Sequence, residues 1–116
     1  MIISIDELKI HSIANARFHW RTLAAEKAKQ RRIVHWATMG KKPPPLPVVV
    51  TLCRIGVRDL DDDNLAHAFK AVRDEIAQWL GCDDGPKSPV DWRYMQRRGK
   101  PKQYAVEITI EPREAT

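Results

Sequence analysis

The sequence predicts an α+β fold (mixed α/β): a small mixed β-sheet with two helices packed on it, in the order β-α-β-α-β-β. Two stretches repeat their apolar residues at helical spacing, and four have the alternating or β-branched character of strands. Gly and Pro mark the connections between them. With 116 residues and 43% hydrophobic content, the chain is long enough for a single domain with one core and too short for two ordinary ones.

Residues 2–10, IISIDELKI, mix alternation with short apolar runs and read as the first strand, with His11 to Asn15 as the connection. From about Ala14 to Ala37 the composition is strongly helical, with no Gly or Pro inside. Gly40 stops this helix, and Lys41–Pro47, KKPPPLP, cannot continue it because proline lacks an amide donor and fixes φ. The Pro44 to Pro47 spacing is found in SH3 ligands, but a rigid connector between helix and strand accounts for it. Val48–Arg54, VVVTLCR, is a β-branched run suited to a buried strand.

The second helix follows an acidic stretch. From Asn64 onward Leu65, Ala68, Phe69, Val72, Ile76, Trp79 and Leu80 form one apolar stripe, with His67, Lys70 and Asp74 on the other side. Gly81 stands where a helix terminus favours positive φ. Val90, Trp92 and Tyr94, then Tyr104, Val106, Ile108 and Ile110, alternate with polar residues around QRRGKPKQ. Two such runs about a Gly and Pro turn predict an antiparallel hairpin, its tip carrying Arg97, Arg98, Lys100 and Lys102.

No run of about 18 apolar residues exists, and MIISIDELKI lacks a charged start followed by an apolar block. Neither a membrane span nor a secretory signal is expected, and the cytoplasm is the default. Cys53 and Cys82 lack metal-ligand spacing and are too few for a disulfide framework, so both are expected reduced. The net charge is +5, from 20 Lys and Arg against 15 Asp and Glu. Six of those acids, Asp59, Asp61, Asp62, Asp63, Asp83 and Asp84, fall into two clusters. The rest of the surface is therefore more basic than the sum, as in a protein that binds a polyanion around an acidic pocket. Arg17, Arg21, Lys27, Lys29, Arg31 and Arg32 give the first helix its share of that charge. They serve either as phosphate contacts or as the wet face of a surface helix.

Four aspartates in five positions repel one another unless a cation neutralises them, which points to a hard divalent metal held by oxygen ligands. Helix capping would need one aspartate; four, with a second pair twenty residues on, exceed it. An EF-hand fails because position six is Asn64, not Gly, and position twelve is Lys70, not Glu. A helix of about 16 residues is roughly 24 Å long. The two acidic groups therefore share a site only if the chain after Gly81 doubles back or a strand carries an acid home.

Asp61-Asp62-Asp63-Asn64-Leu65, a helix and then Asp83-Asp84 resemble the RusA family of Holliday junction resolvases, in its phage and prophage branch. The similarity covers roughly residues 48–112, including Trp92-Arg93-Tyr94, and Asn15 and Arg17 also resemble that branch. The resemblance implies a homodimer in a bacterial host's cytoplasm that cuts four-way DNA junctions with Mg²⁺. The ligands implied are Asp61, Asp63 and, counting from the pair, Asp84, with Asp83 as its competitor. The family's lysine three residues after the Asn is His67 here, and Lys70 lies one turn on; either takes that role. DNA contacts fall to Arg17, Arg21, Arg97, Arg98, Lys100 and Lys102. Two other readings stay open: a non-catalytic basic nucleic-acid-binding domain, and a metal-dependent nuclease acting on flaps or single strands.

Overall fold

A computed structural model describes residues 1–10, 20–82 and 88–114. In chain order the elements are β1 (Ile2–Asp6), α1 (Trp20–Thr38), β2 (Val48–Gly56), α2 (Asp62–Ala68), α3 (Lys70–Leu80), β3 (Val90–Arg98) and β4 (Ala105–Pro112). The fold is α+β: one four-stranded mixed sheet and three helices. Its radius of gyration, 14.1 Å, is close to the ~13 Å of a single domain of this length. No helix among the described residues is long and apolar enough to cross a membrane.

The strands lie in the order β1-β4-β2-β3. β2 is the inner strand with the strongest β-branched character, and it pairs parallel to β3 and antiparallel to β4. β1 closes the other edge antiparallel to β4, with Ile3 opposite Ile108. Val48, Val50 and Leu52 of β2 point to the same side as Val106, Ile108 and Ile110 of β4 and Ile3 and Ile5 of β1, and that side holds the core. Phe69, Val72, Ile76 and Leu80 cover it from the helices, with Val34 of α1 beside them. On the opposite face Ile2 and Met95 stand exposed.

Three expectations need correction. β1 ends at Asp6 and does not run to residue 10: Glu7 takes a positive φ of 64°, while Leu8 and Ile10 beyond it are still buried. The second helix is two helices. Phe69 sits at φ −87° and ψ 0° between α2 and α3, in the sparsely populated bridge region. Its ring is fully buried and stacks on Tyr94 at 6.1 Å between centroids. Helical hydrogen bonds survive across the break, from the Phe69 amide to the Leu65 carbonyl and from the Arg73 amide to the Phe69 carbonyl. The apolar spacing is thereby preserved, and periodicity alone shows no interruption.

The third correction is the hairpin. β3 and β4 are not neighbours; they flank β2 on opposite edges. The segment between them, residues 99–104, crosses the C-terminal end of β2, where the Gly99 amide donates to the Gly56 carbonyl at 2.9 Å. Alternation reports which face of a strand is buried and says nothing of which strand lies beside it. A run as apolar as β2 gains most from partners on both edges and cover on its face.

Two stops fall where glycine is expected. Gly81 adopts φ 77°, ψ 33°. The Cys82 amide reaches back to the Ala77 carbonyl and the Gly81 amide to the Gln78 carbonyl, each at 3.1 Å. This six-to-one and five-to-two pairing closes α3 and satisfies carbonyls that the last turn leaves open. Gly40, after α1, is likewise at φ 77°.

α1 packs on α3 partly through charge. Arg31 donates to Glu75 at 3.0 Å and to Gln78 at 2.9 Å, and His35 lies 3.4 Å from Glu75. Arg31 thus joins α1 to α3, a role that neither the phosphate contact nor the wet face expected of α1's basic residues describes. Phe69→Ala is expected to lower unfolding free energy by about 3–5 kcal/mol through loss of a fully buried ring. Urea denaturation of the variant against wild type measures it.

Candidate functional site

β2 and β3 run parallel, in a register that places Ile55 beside Arg97 and Gly56 beside Arg98. The acidic loop leaving β2 and the basic segment leaving β3 therefore emerge at the same end of the sheet. Arg98 Nε lies 3.7 Å from Asp59 Oδ2, and Arg97 Nη2 lies 3.5 Å from Glu107 Oε2 on β4. Lys100 and Lys102 are exposed on the crossing segment. Of the four cations expected at a hairpin tip, Arg98 stands beside Asp59 and Arg97 faces Glu107, while Lys100 and Lys102 lie on the segment that crosses the end of β2.

The loop between β2 and α2 is held from inside. Gln96, on the core side of β3, meets Leu60 twice: the Leu60 amide donates to Oε1 at 2.8 Å, and Nε2 donates to the Leu60 carbonyl at 2.7 Å. The side-chain amide thus ties the loop's backbone at Leu60 to the core side of β3. Arg54, buried near the end of β2, donates through Nε to the Ile10 carbonyl at 3.0 Å and through Nη1 to the Arg58 carbonyl. Gly56 makes room for it, since a Cβ there would stand 2.9 Å from the guanidinium carbon. Neither Gln96 nor Arg54 was evident as a site residue. The available signal was a lone arginine in the inner register of an otherwise apolar strand.

Asp61 occupies the N-cap position of α2 with extended backbone (φ −62°, ψ 151°), yet its side chain makes no capping hydrogen bond. The helix starts instead on its carbonyl, which accepts from the Leu65 amide at 2.8 Å. Asp62 and Asp63 occupy the first turn, where negative charge suits the helix dipole, and all three carboxylates are exposed. They offer hard oxygen donors of the kind Mg²⁺ takes. Among the described residues no group of three His, Cys, Asp or Glu comes together to hold a metal. Asp83 and Asp84, and Arg17 among the basic residues, lie outside the described residues; Arg21 is exposed at the start of α1.

His67 and Lys70 belong to different helices, α2 and α3, and still come together. They line one open cleft with Ala66, Arg73, Asp74 and Tyr94. Lys70 Nζ is 3.5 Å from Asp74 Oδ2. Arg73 Nη1 donates to the Tyr94 hydroxyl at 2.8 Å, and the guanidinium lies 5.0 Å from the Trp92 ring centre. On α2 His67 is four residues after Asp63, which makes them surface neighbours on one helix face. The cysteines take no part: they form no disulfide, and burial pushes the Cys53 thiol above its ordinary range, so little of it is the reactive thiolate.

No protein-family model, no curated protein and no solved structure matches the chain.

Gln96→Leu should destabilise the fold by about 1–3 kcal/mol, because it strands a backbone donor and acceptor of Leu60, and should speed hydrogen exchange at the Leu60 amide. Gln96→Glu keeps the acceptor and should show a smaller increase. NMR-detected exchange of both variants measures this.

Proposed function

We propose that the chain is a Mg²⁺-dependent, structure-specific endodeoxyribonuclease that acts as a homodimer on four-way DNA junctions, in the cytoplasm of a bacterial host. The observation that carries this reading is the placement of exposed acidic and basic groups at one end of the sheet by the parallel pairing of β2 and β3. A DNA-cutting site needs both charges there: carboxylates to hold a cation and cations to hold the backbone. The motif Asp61-Asp62-Asp63-Asn64-Leu65 and its resemblance to the RusA family supply the particular substrate.

Asp61 and Asp63 would hold the metal, with Asp84 or Asp83 completing the set. When bound, Mg²⁺ lowers the pKa of the attacking water and polarises the scissile phosphate. Lys70 and His67, one or two turns on, would offset charge that develops on the phosphate oxygens. Arg97, Arg98, Lys100 and Lys102, with Arg17 and Arg21, would contact the sugar–phosphate backbone and recognise branch geometry more than sequence. The sheet face where Ile2 and Met95 are exposed is the surface we assign to the second copy, since a four-way junction needs two coordinated cuts. A non-catalytic basic domain would use the aspartates as caps, and the absent cap bond at Asp61 argues against that use.

The first test is incubation with synthetic four-way, flap and linear DNA in Mg²⁺ and in EDTA. Symmetric nicks at the junction centre are expected. Cutting of flaps alone would replace the junction by a flap as the substrate, and a mobility shift without cutting would leave only the binding role. Asp61→Asn and Asp63→Asn should each abolish cleavage while junction affinity holds or rises; near wild-type cutting at limiting Mg²⁺ would remove that residue from the site.

Lys70→Ala should lose about a hundredfold in single-turnover cleavage, as for a lost electrostatic donor, and far more than His67→Ala. The reverse order would assign the role to His67. In sedimentation the protein should be a dimer at micromolar concentration and Met95→Lys should shift it toward monomer; a wild-type monomer with and without junction DNA would sink the dimer.

A further inference from the structure

Behind the acidic loop lies a crevice with a charge of its own. It is lined by Lys9 and Ile10 after β1, Arg54 of β2, Val57, Arg58 and Leu60 of the loop, and Tyr104 before β4. Its volume is about 490 Å³. Three cations from three separate segments line it, and among the described residues its lining contains no carboxylate.

Arg54 is the unusual member. It is 6% exposed, and its two hydrogen bonds go to neutral carbonyls, those of Ile10 and Arg58. Neither uses Nη2. No carboxylate among the described residues forms an ion pair with it; Asp59 and Tyr104 favour its charged form from a distance, and the Asp59 carboxylate is already beside Arg98. A buried guanidinium without a counter-charge is expensive to hold, and burial does push its pKa below the ordinary arginine value. Arginine nevertheless remains a cation at neutral pH. Lys9 and Arg58 line the same crevice, and the Lys9 ammonium lies 4.5 Å from the centre of the Tyr104 ring.

We propose that this crevice is a phosphate-binding seat, separate from the aspartates and their cleft, in which Arg54, Lys9 and Arg58 hold one phosphate group. The two carbonyl bonds keep the Arg54 guanidinium in place before any ligand arrives, and its remaining N–H groups suit the oxygens of a phosphate. On the functional reading above, on which this assignment of ligand rests, the group is a backbone phosphate of the DNA strand near the one cut. The loop carrying Asp59 and Asp61 forms one wall of the seat. A phosphate held there would fix the strand against that loop.

Two measurements test this independently. Titration of inorganic phosphate into the wild-type protein, followed by amide NMR, should shift Ile10, Val57, Arg58 and Leu60, and Lys9→Gln/Arg58→Gln should abolish those shifts. Both residues are exposed, so the double variant should fold. Shifts confined to other residues, or none, overturn the seat whatever the protein does to DNA. Junction binding is measured with Ca²⁺ in place of Mg²⁺ to prevent cutting. There the double variant should flatten the slope of log affinity against log salt by nearly one unit per residue, and in Mg²⁺ it should raise KM more than it lowers kcat. Phosphate shifts with an unchanged slope would give the seat a free phosphate or nucleotide as its ligand and overturn the DNA assignment. A wild-type protein that binds and cuts no DNA overturns the functional reading, and the phosphate titration then decides the seat alone.

Discussion

β2 pairs on both edges, and most of the architecture follows from that constraint. An inner strand this apolar must have its backbone groups satisfied on either side and its core face covered. β3 takes one edge in parallel and β4 the other in antiparallel. A parallel partner following in sequence requires a crossover, which α2 and α3 supply, and their apolar stripe covers the face. The same parallel register brings residues 57–61 and residues 97–102 out at one end, and so creates the charged rim on which the functional reading stands.

The loop at that rim owes its shape to two polar side chains inside it. Gln96 clamps Leu60 from the core side of β3 with two hydrogen bonds, and Arg54 ties Ile10 to Arg58. Arg54 is buried and Gln96 half-buried, and polar groups taken from water carry a penalty unless satisfied, so both fit the loop in this conformation. Their placement sets where the neighbouring carboxylates stand, while Asp61 contributes only its carbonyl to the start of α2. One buried arginine thus both braces the acidic loop and lines the basic crevice behind it.

Much of the candidate site was legible as residue type and little of it as neighbourhood. The aspartate cluster, His67 and Lys70 stood out because charge density and helical position are local properties. Arg97, Arg98, Lys100 and Lys102 were recognisable as a basic segment, but a hairpin tip was the wrong location for them, since β4 inserts between β1 and β2. Arg73 and Tyr94 complete the cleft of His67 and Lys70 through a contact between α3 and β3, and nothing in either segment announces it. Lys9, Arg54 and Arg58 are separated by up to 49 positions and meet only because β1 and β2 run into the same corner.

The sequence by itself determined the α+β class, the order of strand-like and helical stretches, the glycine stop at Gly81 and the separation of acidic from basic residues. Each of these is written in short-range terms: periodicity, backbone preference, the charge of neighbours. The tertiary structure decided the strand order, the break at Phe69, the inward clamp of Gln96 and the joining of two charged segments at one end. Those depend on which surfaces meet: apolar spacing passes unchanged through a break that keeps its hydrogen bonds, and alternation is the same whether a strand's partner is its neighbour in sequence or lies across the sheet.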